Sequence, residues 1–327
     1  MRTIRWAAAA LCAIALAQGA PAAAQGVELT VAHYGSLVQG APYAVAMEKG
    51  FFAEAGLPVS RIVSGDGGGT TVRNVLASPF PFGEAALGAV MTARLRGQDV
   101  VAVNAAVSGP VDMFWIVKPD SPIRSLQDVK GRKIGYTNPK SGSDYLGRMV
   151  FDAAGLKETD LTLVATGGMR EGLAMLSAGQ IDVMPVIEPI LTTLGPRFRV
   201  AFAYADHAPP LTQTIGFTTR EFAAKNGDRL RALLAARRKA VDFIYANPEE
   251  TAAIVARTHD LKPEVAKAVV ERYVRDRYWS RGDFDKAALD AQVKGLRLVG
   301  ALDGEAPAWG QLVDASYLPA DLPKPAM

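Results

Sequence analysis

Apolar and polar positions along this chain alternate in short runs that read as strands and helices in turn. Leu29-Thr30-Val31-Ala32 reads as a strand, followed by a loop, His33 to Gln39. From about Pro42 to Ala55 the spacing is helical, with Pro42 suited to the first turn and Gly56 to the C-terminal cap. Leu57 to Val63 is the next strand. Gly65-Asp66-Gly67-Gly68-Gly69 then leads into a helix, Thr70 to Ala77.

The same order returns about a hundred residues later. Lys133 to Tyr136 is a strand, Thr137 to Gly142 a loop, and Ser143 to Ala154 a helix capped by Gly155. Leu161 to Ala165 is a strand, Gly167-Gly168 precedes a helix from Met169 to Ser177, and Ile181 to Val186 is a further strand. Ala55-Gly56-Leu57 matches Ala154-Gly155-Leu156, and Gly68-Gly69 matches Gly167-Gly168, both at an offset of 99. Landmarks repeated in one order predict an α/β fold of two similar Rossmann-like lobes with mainly parallel sheets.

From Glu221 onward the pattern is helical, with Leu230, Leu233, Leu234, Val241 and Ile244 on one face. Asn247-Pro248, Lys262-Pro263 and Asp285 mark further helix starts, with Asn247 as an expected N-cap. These helices are expected to pack back on the first lobe, with their Arg and Lys residues as solvated faces. Two stretches, Asp112 to Val117 and Gln213 to Thr218, are expected to cross between lobes. Turn chemistry at Lys118 to Pro122 suggests the boundary. The expected division is a discontinuous first lobe, residues 25–117 and 216–327, and an inserted second lobe, residues 118–215, joined by a two-segment hinge.

The first 24 residues follow a different pattern. Arg2 and Arg5 precede an apolar run, Trp6 to Ala17, and Ala22-Ala23-Ala24 offers small residues for cleavage after Ala24. This is the pattern of a secretory signal peptide and implies an extracytoplasmic, periplasmic location. Cys12 is the only cysteine and lies in this leader, so the remainder has no disulfide, thiol nucleophile or cysteine-held metal. Without Arg2 and Arg5 the chain carries 34 basic against 33 acidic residues, a net charge of +1. That balance gives no polybasic field for nucleic acid or an anionic membrane.

Ligands of open α/β sheets sit beyond the carboxyl ends of strands. Four loops qualify: His33 to Ala41, Gly65 to Thr71, Thr137 to Ser143 and Thr166 to Arg170. On one side of a cleft they offer Tyr34, Gly35, Ser36, Gly68, Gly69 and Thr70. On the other they offer Ser141, Gly142, Ser143, Gly168 and Met169. Glycines admit close backbone approach, and hydroxyls at helix N-termini suit an anion. Tyr34, Tyr136 and Tyr145 could stack on an aromatic body.

The Gly-rich turn lacks the Gly-Lys-Ser/Thr ending of a nucleotide P-loop. The three histidines, His33, His207 and His259, have no metal spacing, and the last two read as surface residues. Glu84 and Glu188 each read as following a strand and facing the cleft, as an acid–base pair or, more simply, as hydrogen-bonding groups; Glu188 joins the expected ligand contacts. The expectation is a binding protein with no catalytic residue, no metal and no cofactor.

Pro42-Tyr43, Glu48-Lys49-Gly50-Phe51-Phe52, Ala55-Gly56-Leu57, Ser125 to Ile134, Leu176 to Asp182 and Val186-Ile187-Glu188-Pro189 resemble the nitrate/sulfonate/taurine class of ABC solute receptors. The resemblance covers nearly the whole chain after the leader. It implies a type II periplasmic binding-protein fold that closes about a hinge. It also implies a small-molecule ligand, an ABC permease and an ATPase as partners, and a monomer. Members of the class take nitrate, sulfonates, taurine, aromatic carboxylates or pyrimidine precursors. Ser78-Pro79-Phe80-Pro81-Phe82 departs from the small-polar turn seen at Ala178 to Asp182, and the Cys-rich motif of the related thiamine-pyrimidine enzymes is missing. A periplasmic enzyme or a sensor subunit on the same fold is the alternative.

Overall fold

A computed structural model of the chain describes residues 26–325. The expected leader, Cys12 and the cleavage point after Ala24 lie outside the described residues. The first half supplies β1 (Val27–Ala32), α1 (Ala41–Glu48), α2 (Phe51–Glu54), β2 (Val59–Gly65), α3 (Gly68–Ala77), β3 (Phe82–Ala86), α4 (Leu87–Leu95) and β4 (Val100–Ser108). The second lobe supplies β5 (Met113–Val117), β6 (Lys133–Tyr136), α5 (Gly142–Ala153), β7 (Thr162–Ala165), α6 (Met169–Ser177), β8 (Met184–Ile187), α7 (Ile190–Leu194) and β9 (Arg199–Ala203). Then follow β10 (Thr212–Thr219), α8 (Arg220–Lys225), α9 (Gly227–Ala246), α10 (Pro248–Thr258), α11 (Pro263–Arg275), α12 (Lys286–Leu298) and α13 (Trp309–Leu312).

The first sheet runs β2-β1-β3-β10-β4. The second reads β7-β6 and β8-β5-β9, with an Ile134–Val183 bridge drawing the β6 edge to the segment entering β8. Both lobes thus share one order, two parallel crossovers followed by a strand running the other way. That antiparallel strand is β10 in the first sheet and β5 in the second. The sheets are therefore mixed, a correction to the mainly parallel expectation.

The exchanged strands also move the hinge. Met113–Val117, expected with the first lobe, pairs along its length with β8 and β9. Thr212 to Ile215, expected with the second lobe, pairs with β3 and β4. Both stretches are central, ladder-bonded strands rather than linkers. On β5, Met113, Trp115 and Val117 enter the main core, whereas Phe114 and Ile116 enter a second cluster with Leu176, Ile181 and Met184. This is the two-residue alternation of a strand covered on both sides. The crossings fall at Gly109–Asp112 and at residues 204–211.

The repeat seen in the sequence is a repeated geometry. Gly56 and Gly155 both have φ 72°, where a left-handed backbone favours glycine. In each case the following leucine N–H, Leu57 or Leu156, reaches back to a phenylalanine carbonyl, Phe52 or Phe151, at 2.9 Å. The expected helix over Pro42 to Ala55 is broken at Gly50, also at φ 72°.

Helices α9 and α10 pack on α1 of the first lobe, whereas α11 also meets α7 and α12 also meets α5 of the second. Asp285 caps α12 by accepting from the Ala287 and Ala288 N–H groups. Asn247 does not cap α10; its side chain donates to the Phe243 carbonyl instead. Among the described residues no helix is long and apolar enough to cross a membrane.

Candidate functional site

The strand ends of the two lobes meet at one cleft of about 560 Å³. From the first lobe it is lined by His33, Leu37 and Gln39 after β1, by Gly68 and Gly69 at the start of α3, by Ala86 at the end of β3, by Gly88 and Thr92 on α4 and by Arg96 just after it. The second lobe contributes Lys140, Gly142 and Tyr145. Gln213 and Thr214 of β10 and Gln292 and Leu296 of α12 complete it.

Two loops hold unusual backbone here. His33 and Lys140 occupy equivalent places, the first loop of each lobe, and both have positive φ, 55° and 66°. Non-glycine residues seldom adopt that region, and where they do the surroundings hold them there. The His33 N–H is fixed by the Gly65 carbonyl at 2.8 Å, and the Lys140 N–H by Asp144 Oδ2 at 2.9 Å.

The cleft is electropositive by construction. Arg96 and Lys140 are its cations, neither is ion-paired among the described residues, and no Asp or Glu lines it. The N-termini of α3, α4 and α5 open onto it, adding unpaired N–H groups and the positive ends of three helix dipoles. Among the described residues no cluster of His, Cys, Asp or Glu has metal-binding geometry.

Of the residues expected from the sequence, Gly68, Gly69 and Gly142 line the cleft. A Cβ on Gly68 would lie 2.5 Å from Ala89 Cβ, so this glycine lets α3 approach α4, whereas Gly69 is open. Ser141 and Ser143 form a triangle of hydroxyls with Thr137, with oxygens 2.8–3.0 Å apart. Ser143 also accepts the Thr137 N–H. This network ties the Thr137–Ser143 loop to the start of α5, behind the lining.

The others serve neighbouring structure. Tyr34 packs on His259 with ring centroids 6.0 Å apart, and burial pushes its phenol pKa up. Ser36 donates to the His33 carbonyl, and Gly35 turns the chain at φ 80°. Thr70 accepts from Arg73, while its neighbour Thr71 bonds the Gly67 carbonyl. The Gly168 carbonyl accepts from Thr166, and Met169 packs on the second core cluster.

Glu188 is buried at the junction of the lobes. It accepts from the Thr192 N–H and hydroxyl at 3.1 and 3.0 Å and pairs with Arg272 at 3.3 Å. Glu84 is also buried, within β3; it accepts from Thr214 at 3.0 Å and lies 3.6 Å from Arg237, and burial pushes its pKa up. Neither carboxylate lines the cleft. Arg237 is no solvated face: it is 1% exposed and donates to the Ala106 and Ser280 carbonyls. His259 is likewise buried rather than on the surface, and burial lowers its pKa.

Sequence reasoning did not single out Arg96, Lys140, Gln213 or Gln292. Lys140 stood inside a nominated loop. Arg96 and Gln292 come from the far end of α4 and from α12, which strand-end reasoning does not reach.

The NMT1/THI5 like family model matches residues 38–251, and the chain belongs to that family. A putative binding protein of Brucella abortus is 29% identical over 218 residues, 65% of this chain and 66% of that relative. The chain thus spans just under two thirds of the curated relatives first matched. A putative aliphatic sulfonates-binding protein of Escherichia coli is 28% identical over 185 residues, 55% of this chain and 56% of the relative. In structure, the periplasmic aliphatic sulphonate binding protein of Escherichia coli aligns with TM-score 0.68 at 19% identity, covering 84% of this chain and 91% of its own. The desulfurization enzyme DSZB aligns with TM-score 0.61 at 16% identity, covering 89% and 97%. The fold is that of the periplasmic binding proteins, type II, and at these identities the likeness to solved structures speaks for the fold alone.

Proposed function

We propose that this protein is an extracytoplasmic receptor that binds a small organic anion between its lobes and delivers it to an ABC-type permease and ATPase. The observation that carries the reading is the cleft itself: residues of both lobes, three helix N-termini and, among the described residues, two unpaired cations and no acidic side chain. Such a site stabilises negative charge without a counter-ion. A ligand that touches both lobes binds the closed arrangement better and shifts the population towards it. The leader pattern and the relatives named as binding proteins support the periplasmic, transport-linked part of the reading.

The position of the carboxylates supports a binding role rather than catalysis. Glu84 and Glu188 are buried against Arg237 and Arg272, and neither lines the cleft. Thermal unfolding against sulfonates, carboxylates, nitrate and pyrimidines tests the reading. A ligand at about 100 times its Kd adds roughly 2.7 kcal/mol and raises the midpoint by a few degrees. A shift with one class of anion and no product formed is expected. A shift only with neutral or cationic compounds, or turnover of the bound compound, would overturn it.

A further inference from the structure

Helix α12 runs along an edge of the cleft and touches both lobes. Its Leu296 lies against Gly88 of α4, where a Cβ would meet Leu296 at 3.0 Å. Its Gly295 admits α5 so closely that a Cβ there would lie 2.5 Å from Met149 Sδ and 3.1 Å from Tyr145 Cδ2. Lys294 pairs with Asp152 of α5 at 2.6 Å.

Gln292 sits about one turn before this crossing. It is 1% exposed and lines the cleft. Its Oε1 is buried and has no hydrogen-bond partner among the described residues. Gln213, half-buried at the start of β10, lines the same cleft and also has a buried Oε1 without a partner. The adjacent Thr214 hydroxyl donates its proton to Glu84 and offers none to either glutamine. Two buried amide oxygens without donors carry an unpaid desolvation cost until a donor arrives.

Building on the anion-cleft reading above, we propose that Gln292 and Gln213 determine specificity, and that the ligand is an organic anion bearing a hydrogen-bond donor, a hydroxyl, amine or amide N–H, beside its charged group. Arg96 and Lys140 receive the charge, and the two glutamine oxygens receive the donor. A bare anion satisfies the cations and leaves both amide oxygens unpaired. A site built to bond a polar group rejects the analogue that lacks it more strongly than an apolar pocket rejects a change of size.

Calorimetric titration of the purified protein with matched pairs tests this: ethanesulfonate against 2-hydroxyethanesulfonate, and butanoate against 4-hydroxybutanoate. The donor-bearing member of at least one pair is expected to bind at least about tenfold tighter. In Gln292→Met and in Gln213→Met that preference is expected to shrink, with the affinity of the plain anion retained. Equal affinity within both pairs overturns the proposal without any variant. So does an intact preference in both variants when each unfolds at the wild-type midpoint. If anions bind without preference, only this proposal fails; if no anion binds, the anion-cleft reading fails and takes it along.

Discussion

Glu188 of the second lobe and Arg272 of α11 in the C-terminal helical region face each other at 3.3 Å, the carboxylate fully buried and the guanidinium partly so. The pair stands beside the crossing segment and not in the cleft. Arg272 also lies 5.0 Å from the Phe114 ring centroid, so it covers the same junction with its cationic face. Removing the guanidinium leaves Glu188 buried with only its Thr192 donors.

Arg272→Met is therefore expected to destabilise the protein by roughly 2–4 kcal/mol, towards the lower end because the arginine is partly exposed. Denaturant unfolding measures it. Glu188→Gln with Arg272→Met should recover part of the loss, since no charge then remains unpaired. A neutral single variant would show that the pair contributes nothing.

Arg237 and Glu84 form the corresponding pair inside the first lobe, both fully buried. Arg237→Met deprives Glu84 of its counter-charge and the Ala106 and Ser280 carbonyls of their donors. The expected loss is about 3–5 kcal/mol, read from denaturant unfolding. Glu84→Gln alone should cost less, because Thr214 can still donate to the amide oxygen.

Asp112 stands on the first crossing and is pushed up to about 7, chiefly by burial, with Glu188 adding repulsion and the Tyr278 hydroxyl, 3.1 Å away, opposing the rise. Its folded pKa lies above the ordinary Asp value of about 4. The folded state thus holds a proton that the unfolded chain has lost. Stability from this group is present below about pH 4 and declines as pH rises to about 7, by an amount on the order of 4 kcal/mol. Unfolding midpoints from pH 5 to pH 8 should fall for this reason, and Asp112→Asn should flatten the decline. An identical pH profile in that variant would contradict the assignment.

Gly68 and Gly69 are neighbours with opposite tolerance. Gly68→Ala places a Cβ 2.5 Å from Ala89 Cβ and must part α3 from α4 at the cleft wall, at about 1–3 kcal/mol. Gly69→Ala meets only the Arg73 guanidinium at 3.7 Å and should leave the unfolding midpoint unchanged.

Much of the fold was legible because local chemistry and tertiary structure agree. The strand Lys133–Tyr136 and the helix Met169–Ser177 match the sequence reading to the residue, and both glycine caps of the repeat close their helices alike. The hinge was misplaced because Lys118 to Pro122 has turn chemistry, yet it only ends β5. The true crossing carries its own signal in Gly109-Pro110, where glycine adopts φ 108°. The chain between Phe82 and Ser108 hid β3, α4 and β4, since a fully buried strand such as β4 shows no polar alternation. In the cleft, the glycines expected from strand-end logic line the wall, whereas the expected hydroxyls bond one another or neighbouring groups. Arg96 and Gln292 reach the cleft through α4 and α12 packing, which no local spacing encodes.

The proposed anion site between the lobes requires Arg96 and Lys140. Calorimetric titration of the wild type and of the double variant Arg96→Gln, Lys140→Gln, with the tightest-binding anion and at two salt concentrations, puts that requirement to the test. One site per chain is expected, with affinity that falls as salt rises and drops by about tenfold or more in the double variant, roughly 1.4 kcal/mol or more. Unchanged affinity in a double variant that unfolds at the wild-type midpoint would contradict an anion site in this cleft.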